Sequence, residues 1–257
     1  MTFPLPHQRS TVIADELGRF LAEQLANERL ANKGGSGGQS DRSRDLEPMY
    51  PGLAYGRHRG PARRGCRQAA VAISLFQDAH QQWVIPLTQR PMTLKHHGGQ
   101  ICLPGGRQEA GESSEQAALR EFEEELGVRP QVQTYCGRLE SQYVYASDNA
   151  VQPVVFIIEP PLPQWQPDPI EVENVILLPL CELFRPSRRI VVQMEKRVHF
   201  IETRADQNPS PGADTLQFAA PAFQYQDYRI WGATAMILDE LARILLPYHN
   251  RLKVTAN

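Results

Sequence analysis

One stretch, PGGRQEAGESSEQAALREFEEELGV at residues 104–128, limits what this chain can be more than any other part of its 257 residues. It holds seven glutamates, Glu109, Glu112, Glu115, Glu121, Glu123, Glu124 and Glu125, and like charges a turn apart on a helix repel one another. Placed on a helix from Ser113 to Leu126 at about 100° per residue, the crowd sorts into faces. With Glu121 at zero, Glu124 falls at about 300° and Glu125 at about 40°, while Leu119, Phe122 and Leu126 gather between about 100° and 160°. Three carboxylates therefore share one face and the apolar residues take another. Glu123 lies on neither and is left to solvent. Arg120 is the one basic residue in the helical stretch. Convergent carboxylates with so little compensation are costly unless a cation joins them, and carboxylate oxygens are the donors that hard ions such as Mg2+ and Mn2+ prefer. Gly105 and Gly106 let the preceding backbone turn tightly toward such an ion, and Gly127 ends the helix.

Residues 106–128 fit the pattern G-x5-E-x7-R-E-U-x-E-E-x-G-U, where U is a bulky aliphatic residue, with Phe122 aromatic at the first U. In these residues the chain resembles the Nudix hydrolases. The resemblance implies an α+β fold, the Nudix α/β/α sandwich with a mixed sheet and a catalytic loop-helix-loop. It implies a divalent cation, Mg2+ or Mn2+, held by Glu121, Glu124 and Glu125 with the backbone carbonyl of Gly105, while Arg120 and Glu112 orient that array. The implied reaction is hydrolysis of a nucleoside diphosphate linked to another group, because a cation on a diphosphate withdraws charge from phosphorus and activates water. Family members differ in their general base. Glu171 and Glu173, in DPIEVENV, are candidates for that role and equally read as surface loop residues.

The substrate is addressed by the residues just upstream. PLTQRPMTLKHHGGQICLPGG, residues 86–106, resembles the extra motif of the coenzyme A diphosphatase subgroup, L-L-T-x-R-S/A-x3-R-x3-G-x3-F-P-G-G. Leu87, Thr88, Arg90, Gly99, Pro104, Gly105 and Gly106 agree, whereas Pro86, Pro91, Lys95 and Leu103 depart. By that resemblance Arg90, Lys95 and Gly99 are the substrate-binding positions, and the products are adenosine 3′,5′-bisphosphate and 4′-phosphopantetheine. Lys95 keeps the charge but lacks the planar fork that grips phosphate bidentately. Arg57, Arg59, Arg63, Arg64 and Arg67 precede the first strong strand; part of this run either reaches the 3′-phosphate or is solvated. Tyr143 lies where diadenosine polyphosphate hydrolases of the family carry a tyrosine, and it also fits a strand aromatic packed on a sheet. ADP-ribose is a further alternative substrate, and a non-catalytic Nudix binding module is the reading from a different class.

The remaining chain supplies a frame. Lys plus Arg total 27 against 29 for Asp plus Glu, a balance in which nothing points to nucleic acid or an anionic membrane as partner; the small-molecule nucleotide diphosphate is what the resemblance implies. Cys66, Cys102, Cys136 and Cys181 form no C-x-x-C pair, which suits reduced thiols. The first twenty residues lack the apolar run of a signal peptide and no stretch suffices for a membrane span, so a cytoplasmic protein is expected. Residues 10–33 carry an amphipathic helical pattern through Ile13, Leu17, Leu21 and Leu25, suited to dimer contacts or to docking on its own domain, and the oligomeric state stays open. Gly- and Ser-rich residues 34–45 read as a linker. We therefore expect an N-terminal helix and flexible linker over 1–60 and the hydrolase domain over 61–257. Within the latter, QAAVAISLF and WVIPLTQR read as a hairpin, VQPVVFIIEP and VENVILLPL as strands, RRIVVQMEKRVHFIET as another hairpin, and WGATAMILDELARILL as a core helix.

Overall fold

Successive side chains of a strand point to opposite faces, and QAAVAISLF is apolar on both, so it needs cover on both sides. The computed structural model, which describes residues 6–33, 46, 48–49, 53–54, 57–59, 62–94, 98–145, 147–161, 165–202 and 210–253, supplies that cover. The chain opens with α1 (Pro6–Lys33), β1 (Leu53–Ala54), β2 (Arg57–Arg59), β3 (Arg67–Gln77), β4 (Trp83–Gln89), β5 (Ile101–Cys102) and β6 (Gly105–Arg107). It continues through α2 (Ser114–Leu126), β7 (Val132–Arg138), β8 (Gln142–Val144), β9 (Asn149–Ile158) and β10 (Asn174–Pro179). It closes with β11 (Arg189–Glu202), β12 (Ser210–Tyr225), β13 (Tyr228–Trp231), α3 (Ala233–Leu245) and α4 (His249–Lys253).

The main sheet runs β1-β2-β8-β9-β3-β4-β10, with β5 on β4, β6 on β3 and β7 on β9. It is mixed: β3 and β9 are parallel, whereas β4, β6, β7 and β8 join it antiparallel. On one face Ile73 and Leu75 of β3 and Val155 and Ile157 of β9 meet Leu17, Leu21 and Leu25 of α1 and Met236 and Leu241 of α3. On the other, Ala70 and Ala72 of β3 and Val154, Phe156 and Ile158 of β9 meet Ala117, Ala118, Phe122 and Leu126 of α2. The result is the expected α+β sandwich, with α2 alone on the face that bears the glutamates. Of the two roles open to the first helix, docking on its own domain is the one seen. The linker expected at 34–45 lies outside the described residues.

Two readings of the sequence change. RRIVVQMEKRVHFIET is no hairpin by itself: residues 189–202 form one unbroken strand paired to β12 over its whole length. The physical reason is that this run has no Gly, Pro, Asn or Asp to seat a turn. β7 and β8, which the sequence reading left unassigned, line one edge of β9.

α2 is fixed at both ends. Ser113 Oγ accepts from the Gln116 N–H while the Ser113 N–H donates to Gln116 Oε1 at 2.8 Å, a capping box. Its first turn is tied to β7, where Arg138 Nε and Nη2 each donate to the Glu115 carboxylate at 2.7 Å and the Tyr135 hydroxyl donates at 2.8 Å. The guanidinium, aided by the tyrosine and opposed by partial burial, holds the Glu115 carboxyl down at about 2 against an ordinary 4.5. A depressed carboxyl stabilises the fold above its unfolded pKa, and the contribution is lost as pH falls through the folded one. Urea unfolding should therefore show wild type ahead of Glu115→Gln by about 1 kcal/mol near neutral pH, with the gap narrowing below pH 4.5 and closing near pH 2.

Candidate active site

β6 is laid against β3 so closely that a side chain at Gly105 would strike the Ala70 carbonyl and the Val71 backbone. A side chain at Gly106 would strike both carboxylate oxygens of Glu121 from the opposite side. Bare backbone is thus held between the sheet and the first glutamate of the helix. At 105 glycine is required, because the clash is with backbone; at 106 the clash is with the movable end of Glu121.

Arg120 gathers three carboxylates. Its Nε and Nη2 donate to Glu112 at 3.0 and 3.1 Å, its Nη1 donates to Glu121 at 3.0 Å and to Glu124 at 2.9 Å, and Nη2 also reaches the Arg107 carbonyl at 2.9 Å. Glu112 in turn accepts the Glu109 N–H at 2.9 Å. Arg120 lowers the Glu112 carboxyl below the usual range. Burial outweighs the same guanidinium at Glu121, which moves upward.

Glu125 behaves differently because of where it falls on the helix. At about 40° from Glu121 it leans toward the apolar face, whereas Glu124 leans away. Glu125 is 5% exposed and the Glu124 side chain 59%. The Thr88 hydroxyl, buried on β4, donates to Glu125 Oε2 at 3.4 Å. Burial first, then the charges of Glu121 and Glu171, push the Glu125 carboxyl up to about 8, against the pull of Arg90 and of a backbone hydrogen bond from Gly105.

The loop that carries Glu171 is fastened to the end of α2. The N–H groups of Gln166 and Asp168 donate to the carbonyls of Leu126 and Glu125 at 3.0 and 3.1 Å, and Gly127 N–H closes the helix on Glu123 at 2.8 Å. Trp165 sets its ring against Phe122 and Phe76. Asp168 then turns the chain by accepting from Ile170 N–H on its side chain and from Glu171 and Val172 N–H on its carbonyl.

The structure thus brings Glu112, Arg120, Glu121, Glu124, Glu125, Gly105, Arg90 and Glu171 into one neighbourhood. The Glu173 side chain is exposed, and its N–H donates to the Gln89 carbonyl. Gly99 shapes the turn after β4, where its N–H donates to the Arg90 carbonyl at 2.9 Å. Lys95 lies outside the described residues, as do the side chains of Arg57 and Arg59. Arg63 is ion-paired with Asp148, and the Tyr143 hydroxyl donates to Asp148 at 2.6 Å, so both have a partner in the turn between β8 and β9. Sequence reasoning counted Thr88 only as a matching position of the upstream motif, without a partner, and did not place the Trp165 loop in the site; the aromatic residue in that loop was the signal there to find.

Among the described residues no three His, Cys, Asp or Glu side chains close into a metal-holding group, and Arg120 holds two of the expected ligands. The donor set nevertheless fits a hard divalent cation. Glu125 is a buried carboxyl beside other carboxyls, where the pull of Arg90 does not offset burial, and Glu121 overlies open glycine backbone.

At Gly127 the backbone is left-handed, φ 66°, and an added side chain would meet the Gln166 carbonyl. Gly127→Ala should cost about 1–3 kcal/mol in urea unfolding and raise protease cleavage near residues 159–173 relative to wild type.

Comparisons with known proteins identify the family. A model of the family described as NUDIX domain matches residues 67–200. The chain is 34% identical over 177 residues to an uncharacterized Nudix hydrolase, NudL, of Enterobacter sp. (strain 638), covering 68% of this chain and 81% of that protein. It is 29% identical over 168 residues to Nudix hydrolase 3 of Caenorhabditis elegans, covering 63% of this chain and 66%, just under two thirds, of that relative. Among solved structures, a MutT NUDIX hydrolase from Burkholderia pseudomallei aligns with a TM-score of 0.35 and 23% identity, over 44% of this chain and 83% of that one. With its glutamate helix intact between two glycine turns and a family match over more than half its length, the chain belongs to the Nudix hydrolases, enzymes that act on nucleoside diphosphates linked to another group.

Proposed function

We propose that this enzyme hydrolyses the diphosphate of coenzyme A or its derivatives. The observation that carries the reading is that the upstream motif and the glutamate helix share one site: Thr88 hydrogen-bonds Glu125, and the charge of Arg90 acts on the same carboxyl. Coenzyme A bears a 3′-phosphate beside its diphosphate, so cationic side chains next to the glutamates suit it. Arg90 and Lys95 take the phosphate-binding roles, with Gly99 shaping the turn between them and the site.

Nudix hydrolases generally need a divalent cation such as Mg2+ or Mn2+. Glu121, Glu124 and Glu125 would hold it with the Gly105 carbonyl. When bound, the cation draws charge from the diphosphate and makes water a better nucleophile. Arg120 and Glu112 keep Glu121 and Glu124 at fixed positions. Arg90 neutralises the substrate's charge. Glu171 takes the proton from the attacking water: its charge already bears on Glu121 and Glu125, which is what supports choosing it over Glu173.

The experiment is chromatography of the protein incubated with coenzyme A, diadenosine polyphosphates or ADP-ribose in Mg2+ or Mn2+. The expected products are adenosine 3′,5′-bisphosphate and 4′-phosphopantetheine from coenzyme A, absent with Glu125→Gln. Preferred cleavage of either other compound assigns a different specificity, and no cleavage of any assigns a binding module. Glu171→Gln should lower kcat by roughly 10²–10⁴-fold with little change in KM; an unchanged kcat removes Glu171 as the base.

A further inference from the structure

Side chains alternate along β4, and the alternation gives Val84, Pro86 and Thr88 to the side that α2 covers while Ile85 and Leu87 enter the opposite cluster. The strand is paired on both edges at this point: Thr88 lies opposite Val175 of β10 and opposite Cys102 of β5. Residues directly opposite share a face, so Thr88 stands between a valine and a thiol, on the side where Phe122 and Leu126 pack. A hydroxyl is out of place in such company. Thr88 is 2% exposed, and a hydroxyl buried without a hydrogen bond is costly. Its hydrogen bond goes to Glu125 Oε2, at 3.4 Å.

Glu125 has the converse need. It is almost wholly buried, so its carboxylate is oriented by protein groups and not by solvent: the Thr88 hydroxyl and a backbone hydrogen bond from Gly105. These donors sit on β4 and β6, the first paired on both edges and the second laid on β3. Threonine is β-branched and stiff at χ1, so a fixed strand presents the hydroxyl on a side chain with little freedom. Alternation carried one step further puts Arg90 on the same side as Thr88, which agrees with the action of its charge on Glu125. A carboxylate that ligates a metal depends on such support, because a hydrogen bond to the ligand fixes its direction and removing that bond typically weakens metal binding by about 10–100-fold.

We propose that Thr88 is a positioning residue for the divalent cation: its hydroxyl holds the Glu125 carboxylate in the orientation in which it ligates, without touching cation or substrate itself. The inference rests on the reading of Glu125 as a ligand given under the proposed function. It also divides the labour of the upstream motif. Arg90 meets the charge of the substrate, and Thr88 acts on the metal through Glu125.

Mn2+ binding tests this, followed by the loss of the electron paramagnetic resonance signal of the free aqueous ion, in wild type, Thr88→Val, Thr88→Ser and Glu125→Gln. Valine keeps the shape of threonine and removes the hydroxyl, whereas serine keeps the hydroxyl. The expected result is a dissociation constant for Mn2+ raised about 10–100-fold in Thr88→Val and within about threefold of wild type in Thr88→Ser. Far-UV circular dichroism and the urea midpoint of the metal-free protein show that the valine variant keeps its fold. Wild-type affinity in Thr88→Val overturns the proposal. So does equal weakening in the valine and serine variants, which would make the shape of the side chain, and not its hydroxyl, the cause. Glu125→Gln separates this inference from the reading beneath it: wild-type affinity there removes Glu125 from the ligand set and the proposal with it, whereas weakened binding there beside unaltered binding in Thr88→Val overturns the role of Thr88 alone. No substrate enters the measurement, so the choice between coenzyme A and another diphosphate has no bearing on its outcome.

Discussion

A carboxyl group taken almost wholly out of water beside other carboxyls is the feature around which this molecule is arranged. Burying such a group is costly unless something compensates, and the compensation for Glu125 comes from several separate parts of the chain: a hydroxyl on β4, an N–H on β6 and the attraction of Arg90 just beyond β4. What forces it inward is apolar packing. Phe122 and Leu126, fully buried on the neighbouring strip of α2, fix the roll of the helix against β3 and β9, and Glu125 must turn with them. The same roll leaves Glu124 outward, within reach of Arg120. One helix rotation, set by hydrophobic contact, thus makes one glutamate interior and another solvent-facing.

Much of this was legible in the sequence, and the limits have physical causes. The helix wheel separates acidic from apolar faces correctly, and Gly127 marks the end as expected. The wheel treats three carboxylates as equals, however, because it has no knowledge of which flank of the face meets the sheet. β3, β4, β9 and β10 declare themselves by apolar runs; β7 and β8 do not, since TYCG and QY owe their extended form to pairing with β9 rather than to their own composition. The partner of β11 was missed for a similar reason: SPGADTLQFAAPAFQY contains two prolines and a glycine, which argue locally against a strand, and a long, regular neighbour holds it in one.

The second sheet, β11-β12-β13, joins the first through charge as well as packing. Asp239, fully buried on α3, accepts from Arg189 at the start of β11 and from the Met49 N–H, so one carboxylate ties the root of the hairpin to the segment ahead of the main sheet. Arg243 also lies 3.5 Å from Asp239, so this buried carboxylate faces two guanidinium groups, and losing it would take the shared acceptor from both. Its effect is to give the hairpin one anchoring point and one direction of departure.

The loop between β9 and β10 has a different kind of attachment. Its fastening to α2 runs through main-chain N–H and carbonyl groups at Gln166, Asp168, Leu126 and Glu125, and main-chain groups are common to nearly every residue type. Positions of this loop whose side chains take no part in the turn or the site, such as Gln166 and the exposed Ile170, can therefore be rewritten with the clasp intact. A family that shares one hydrolytic helix among many leaving groups needs an interchangeable part beside it, and here that part is hung where its side chains can vary while its seat on the helix does not.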